Sequence, residues 1–498
     1  MPLGLYISVP FCRTKCTYCN FASDVFSRAV FERYVERVAA DINRAGETAG
    51  QMGGWFESAV DTVYLGGGTP TILDIAQLER LFVTISQKFV VESDAEITVE
   101  CAPGTLTPAM LEAFQRCGVN RVSLGVQSFV DHEAASVARL HQRATVLEDI
   151  ARLRAAGIEN INLDLIAGLP HQTAESWEFS IAEAIATGAP HVSVYMLEVD
   201  DDSRLGRELM AGGTRYHAHF VPDEDLTADF YETACKRLDG AGVCQYEISN
   251  FARPGQESRH NLKYWTRQPY LGFGVDAHSM LPSAGAKAPD RSAADAGLKA
   301  RSSTAVDALM TGAADPMAVE ARVTGAADPI VARSKISVNN CAAAATVEAR
   351  GFSNATTSGE ELGFSPCGGA RDAIRFATPD SLEEYVAGAS QKQIPVSPRA
   401  ALEETFFLGL RLTKGVDLKN IASEFGESVV QTLSDTILDC VELGLLEHDG
   451  DLIRLTGRGR LLSNEVFGRF IVAADDIAPG LPRIGPQRKV TARSFLES

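Results

Sequence analysis

The strongest constraint on this chain is a pattern repeated through its first 200 residues. Six short apolar runs alternate with polar or glycine-rich turns and helical stretches. The runs are Leu5–Val9, Val60–Leu65, Ala95–Glu100, Arg121–Val126, Ile161–Ile166 and His191–Leu197. Helical periodicity marks residues 28–45, 78–89, 108–117, 144–156 and 174–187 between them. In the first helix Val30, Tyr34, Val38 and Ile42 share one face. Such alternation builds a parallel sheet with helices outside it. The expected fold class is α/β, a partial (β/α)6 barrel, whose chemistry sits at the C-terminal ends of the strands.

The chemistry-bearing residues fall at those ends. After the first run comes Cys12-x-x-x-Cys16-x-x-Cys19, with Phe11 before the first cysteine and Tyr18 before the third. Thiolates this dense are metal ligands or redox groups. Three of them leave one iron of a cubane open to another ligand. Taken alone, the triplet also suits zinc with a distant fourth ligand, or buried free thiols. After the second run stand Gly66-Gly67-Gly68-Thr69-Pro70, where glycines let a ligand approach bare backbone N–H groups. Glu100, Gln127, Asp164 and Glu198 close four later runs. A glycine triplet can be a plain turn, and a lone carboxylate at a strand end is often solvated or capping.

Composition removes several classes. The net charge of −19 argues against a large nucleic-acid footprint. No apolar run approaches the length of a membrane span, and the start MPLGLYISVP lacks the features of a signal peptide. Ten cysteines in 498 residues are no disulfide scaffold and suit a reducing cytoplasm. The seven outside the triplet read as small buried hydrophobes.

Residues 201–282 extend the barrel. They hold a helix over Asp223–Leu238, with Leu226, Phe230 and Leu238 inward, and a strand or edge over Tyr246–Phe251. Residues 283–370 are alanine-rich, carry only Phe352 and Phe364 as aromatics, and repeat TGAADP at 311–316 and 324–329. This reads as a flexible, peripheral insertion, or else as an added helical subdomain. Residues 371–475 form a second domain. Thr378-Pro379-Asp380 leads into a helix there, Leu402, Phe406, Leu408 and Leu410 line another, and two strands meet around His448–Asp451. That ending is α+β and winged-helix-like, and too little basic for DNA. A tail, 476–498, completes the chain.

These motifs resemble the radical SAM superfamily. Within it they are most similar to the oxygen-independent coproporphyrinogen III oxidase-like branch and its heme chaperone (HemW) family. The resemblance covers residues 1–282 and 373–470. It implies a 4Fe-4S cluster on Cys12, Cys16 and Cys19, with S-adenosylmethionine (SAM) on the open iron. Tyr6 matches a residue lying against SAM. Gly67, Gly68 and Thr69 match the segment meeting its methionine part through backbone groups. Glu100, Gln127, Arg139 and Asp164 match polar positions lining the SAM sites, although an arginine in Arg139's position is also common on a helix surface. Ala102 replaces an asparagine frequent in the family. Phe21 stands where coproporphyrinogen dehydrogenases carry a further cysteine, which the chaperone family lacks.

His260-Asn261-Leu262-Lys263-Tyr264-Trp265 matches HNxxYW, a motif of the chaperone family proposed for heme interaction. Imidazole is a natural axial ligand of heme iron. The same residue could equally be a structural histidine in an aromatic-rich crossing. His278 is a second candidate, and His217 and His219 read as solvated. The resemblance implies a protein that binds heme as cargo and delivers it to acceptor hemoproteins. The alternative is a dehydrogenase converting coproporphyrinogen III to protoporphyrinogen IX. The resemblance also leaves room for a homodimer and for peripheral membrane contact.

Overall fold

A computed structural model describes residues 1–285 and 373–473. The insertion expected at 283–370 lies outside the described residues from 286 on, as does the tail from 476. Six strands run in parallel order: β1 (Leu3–Val9), β2 (Ala59–Gly67), β3 (Val90–Cys101), β4 (Arg121–Gln127), β5 (Asn160–Ala167) and β6 (His191–Met196). The helices between them are α1 (Phe31–Asn43), α2 (Ala45–Gln51), α3 (Ile75–Lys88), α4 (Pro108–Arg116), α5 (Asp131–Ser136), α6 (Arg143–Ala155) and α7 (Ala174–Ala186). This is the expected partial barrel. It does not close, because β1 and β6 never pair.

Both flanks are extended. After α8 (Arg204–Ala211) and α9 (Glu224–Gly240), the two short strands β7 (Cys244–Gln245) and β8 (Asn250–Ala252) add beyond β6. The edge expected at Tyr246–Phe251 is thus broken by a turn. Leu226 on α9 is exposed, whereas Phe230 and Leu238 are buried. The register of α9 turns Leu226 outward, contrary to the expectation that it faces inward.

After α10 (Arg259–Trp265), β9 (Tyr270–Phe273) pairs in parallel with β1. β10 (His278–Pro282), β11 (Ala373–Ala377) and β12 (Lys392–Pro395) follow antiparallel, with α11 (Leu382–Ala387) between the last two. The structure therefore places 373–395 in the barrel's sheet, although the sequence groups them with the second domain. The remainder is helical with a small sheet. It comprises α12 (Pro398–Arg411), β13 (Val416–Asp417), α13 (Leu418–Phe425), α14 (Glu427–Glu442), β14 (Leu446–Asp449), β15 (Leu452–Leu455), α15 (Gly457–Leu461) and α16 (Ser463–Ala473). Leu402, Phe406, Leu410, Ile453 and Phe470 share its own core.

Strand alternation sorts the barrel into two environments. Leu3, Leu5, Ile7, Val9, Val63, Leu65, Val99, Val122, Leu124, Ile161, Leu163, Val192 and Val194 join the helices in one large core. The other face carries Tyr6, Ser8, Tyr64, Glu96, Glu100, Arg121, Ser123, Asn162, Asp164, His191 and Ser193. The apolar shell stabilises the fold, and the polar interior is left for a ligand.

Helix α10 plugs the N-terminal end of this interior. Glu96 accepts from the backbone N–H groups of Arg259 and His260, each at 3.0 Å, so a buried carboxylate caps the helix. Lys263 Nζ pairs with Asp61 at 2.7 Å. Gly4 makes room for the plug: a Cβ there would meet Lys263 Cδ at 2.8 Å. The second domain is tied to the same end by Arg411. Its Nη2 pairs with the fully buried Glu247 at 3.0 Å, and its guanidinium lies 4.3 Å from the Trp265 ring centroid. Removing one partner of a buried pair costs about 3–5 kcal/mol. Arg411→Met is expected to lower unfolding free energy by that order in urea titrations. Adding Glu247→Gln should recover part of the loss, whereas additive losses would show that the pair is not coupled.

Candidate functional site

The C-terminal ends of the strands bring the cysteine loop and the glycine turn together. The Gly68 and Thr69 N–H groups donate to the Val9 and Phe11 carbonyls, each at 2.8 Å. A Cβ on Gly68 would lie 2.7 Å from both carbonyl oxygens, so glycine is required by space. Gly67, at φ +96°, donates to Glu100 Oε2 at 3.1 Å. The three N–H groups expected to be bare are therefore engaged within the protein, and a ligand's carboxylate finds no open donor there. They hold the loop in place.

Cys12, Cys16 and Cys19 are half-buried free thiols on that loop. Thr69 Oγ1 lies 3.9 Å from the Cys12 sulfur, and Ser23 Oγ 4.0 Å from that of Cys19. Burial pushes the Cys12 and Cys19 thiols up. Among the described residues no three His, Cys, Asp or Glu side chains converge on one point as a single ion's ligands would. The donor set and its half-open setting suit the cluster.

A cavity of ≈ 210 Å³ runs from Phe21 and Ser23 down to His260, Trp265 and Arg411. Tyr6, Ser8, Gly67 and Glu100 line its wall. Its lining carboxylates are Glu100, Glu247 and Asp276, and its one lining cation, Arg411, is paired with Glu247. An acidic wall suits a cationic ligand such as a sulfonium bearing an ammonium group. Glu100 is the central acid. Tyr64 donates to it at 2.8 Å, yet burial and nearby Asp164 push its pKa up to about 7.

The other expected residues, Asp164, Gln127 and Arg139, are not among those that line the cavity. Asp164 accepts from Ser123 Oγ at 2.9 Å and Asn162 Nδ2 at 2.8 Å, and burial raises its pKa. Gln127 ends β4 at φ 66°, buried. Arg139 lies in the turn after α5 rather than on a helix surface. Its Nη2 would stand 2.8 Å from a Cβ on Gly125.

His260 is placed differently. It is 1% exposed, at the floor of the barrel. Its Nδ1 shares a 2.8 Å hydrogen bond with Thr62 Oγ1, its Nε2 shares another with the Tyr264 hydroxyl, and its ring stacks on Tyr64. Burial lowers its pKa to about 3. Both nitrogens are occupied, so in this arrangement the imidazole has none to offer a metal. His278 is half-buried, with Nε2 4.0 Å from Asp276. Sequence reasoning missed Arg411, whose carboxylate partner is 164 residues away, and Arg121, a buried cation inside the barrel.

Comparison with known proteins follows this geometry. Residues 6–184 match the radical SAM superfamily model, and residues 396–462 match the HemN C-terminal domain. The heme chaperone HemW of Bacillus subtilis is 29% identical over 474 residues, covering 94% of this chain and 98% of that protein. That of Escherichia coli is 34% identical over 281 residues, 56% of this chain and 70% of that protein. Among solved structures, coproporphyrinogen III oxidase (HemN) from Escherichia coli superimposes with a TM-score of 0.65. It is 20% identical, covers 96% of this chain and 91% of its own, and speaks for the fold alone.

The raised Glu100 pKa has a direct consequence. Below about 7 the carboxyl is protonated, so a cationic ligand loses its partner. SAM affinity measured by equilibrium dialysis should weaken roughly tenfold from pH 8 to pH 6. Glu100→Gln should bind weakly at both, and an unchanged pH dependence in that variant would remove Glu100 from the role.

Proposed function

Because the chain belongs to the radical SAM superfamily and, within it, to the heme chaperone HemW family, we propose that it binds heme and passes it to acceptor hemoproteins. The observation that carries this reading is the match to a heme chaperone over 98% of that protein's length. Phe21 adds to it. It stands 48% exposed at the cavity mouth, where the dehydrogenase alternative would have a further cysteine.

In this reading Cys12, Cys16 and Cys19 hold a 4Fe-4S cluster, and SAM lies along Tyr6, the glycine turn and Glu100. When bound, the pair supplies one-electron reduction and cleavage of the sulfonium. The protein's own residues do the rest. Glu100 and Asp164 face the cofactor's positive groups and ribose hydroxyls, Arg139 faces its carboxylate, and Thr69 and Ser23 flank the sulfurs. In this reading the protein works in the reducing cytoplasm, where an oxygen-sensitive cluster and free thiols persist. Among the described residues, no helix is long and apolar enough to cross a membrane.

The test is anaerobic. The reconstituted protein with SAM and reductant is offered coproporphyrinogen III in one vessel and heme in another. Stoichiometric heme binding, with transfer to an apo-hemoprotein and no protoporphyrinogen, is expected. Catalytic turnover of coproporphyrinogen III would establish the dehydrogenase instead.

A further inference from the structure

Heme needs a ligand that the HNxxYW motif does not offer, since both nitrogens of His260 are taken. The cavity is also below the ~300–1,000 Å³ typical of small-ligand sites, and it already borders the proposed SAM position. A second group of imidazoles stands elsewhere. His132 opens α5, His171 follows β5, and His217 and His219 follow α8. The His171 ring lies 4.5 Å from that of His132, 5.0 Å from that of His217 and 4.0 Å from that of Phe220, centroid to centroid.

The His217 loop is built rather than loose. Glu208, nearly buried on α8, accepts the N–H of Tyr216 at 2.8 Å and that of Ala218 at 3.2 Å, one residue on either side of His217. The His171 N–H donates to the Phe220 carbonyl at 3.0 Å and ties the two loops together. His171 and His217 both hold positive φ, 68° and 62°. For non-glycine residues this costs of order 1–3 kcal/mol each and concentrates at functional sites. The outcome is a 3.2 Å contact between His171 Nε2 and His217 Nδ1.

That contact is how a metal-ligating histidine is oriented: one ring nitrogen donates to a neighbour and the other is presented outward. His217 Nε2 has no partner among the described residues, and Phe220 beside it is 46% exposed. Arg215, exposed two residues earlier, offers a cation to a carboxylate. We propose that His217, positioned by His171, is an axial ligand to the iron of a porphyrin that packs against Phe220, with a propionate toward Arg215.

The inference rests on the heme-binding reading, and one titration separates the two. The full-length chain is titrated with hemin and followed by its Soret band. His217→Ala is expected to weaken binding at least tenfold and to lose the imidazole-ligated spectrum, with added imidazole restoring it. His171→Gln, which keeps a hydrogen-bond acceptor near Nδ1, should shift the spectrum with a smaller loss. His260→Ala should retain the imidazole-ligated band. An unchanged band in His217→Ala, or its loss only in His260→Ala or His278→Ala, would overturn the assignment while leaving heme binding intact. A wild-type chain that takes up no hemin would overturn the functional reading itself.

Discussion

Everything at the reactive end depends on a contact with no room for a side chain. Gly68 sits between the Val9 and Phe11 carbonyls, and its N–H and that of Thr69 bind the cysteine loop to the second strand. A methyl group there would push the loop outward and carry the three sulfurs with it. The same turn brings Gly67 to Glu100, so one short segment sets both the position of the thiols and that of the central acid of the cavity wall. Backbone bonds suit this task, because they lack the rotamer freedom of side chains.

Electrostatics then divides the interior. The upper wall is acidic, and burial pushes the pKa of Glu100, and of Asp164 near it, up from the usual carboxylate range. A cationic ligand resolves that frustration by returning charge to the wall. The lower end is closed by fixed pairs instead: Glu96 with the start of α10, Lys263 with Asp61, and Arg411 with Glu247. One end of the barrel is prepared for a guest and the other is already satisfied.

The parts legible in the sequence were those written locally. Strand alternation placed the six strands, and the cysteine spacing and the glycine turn marked two segments that the fold brings together at the strand ends. What escaped was set by contacts between distant residues. Thr62 and His260 are 198 positions apart, and only their meeting shows that the HNxxYW histidine is engaged on both sides. His217 read as solvated, and only the meeting of two loops brings its ring against that of His171. Residues 373–395 looked like the start of the second domain because strand partners across residues 286–372 cannot be inferred from periodicity. Leu226 fitted a helical stripe but fell at its edge, where a small rotation decides exposure.

The two-faced strands have a wider meaning. Ile161, Leu163 and Leu165 anchor β5 to the helices, while Asn162 and Asp164 between them face the polar interior of the barrel. Residues that keep the protein folded and residues that meet a ligand thus occupy alternate positions of one segment. The lining can be rewritten every second residue while the scaffold beneath stays the same, so a single shell of strands can serve relatives with different cargoes and chemistries.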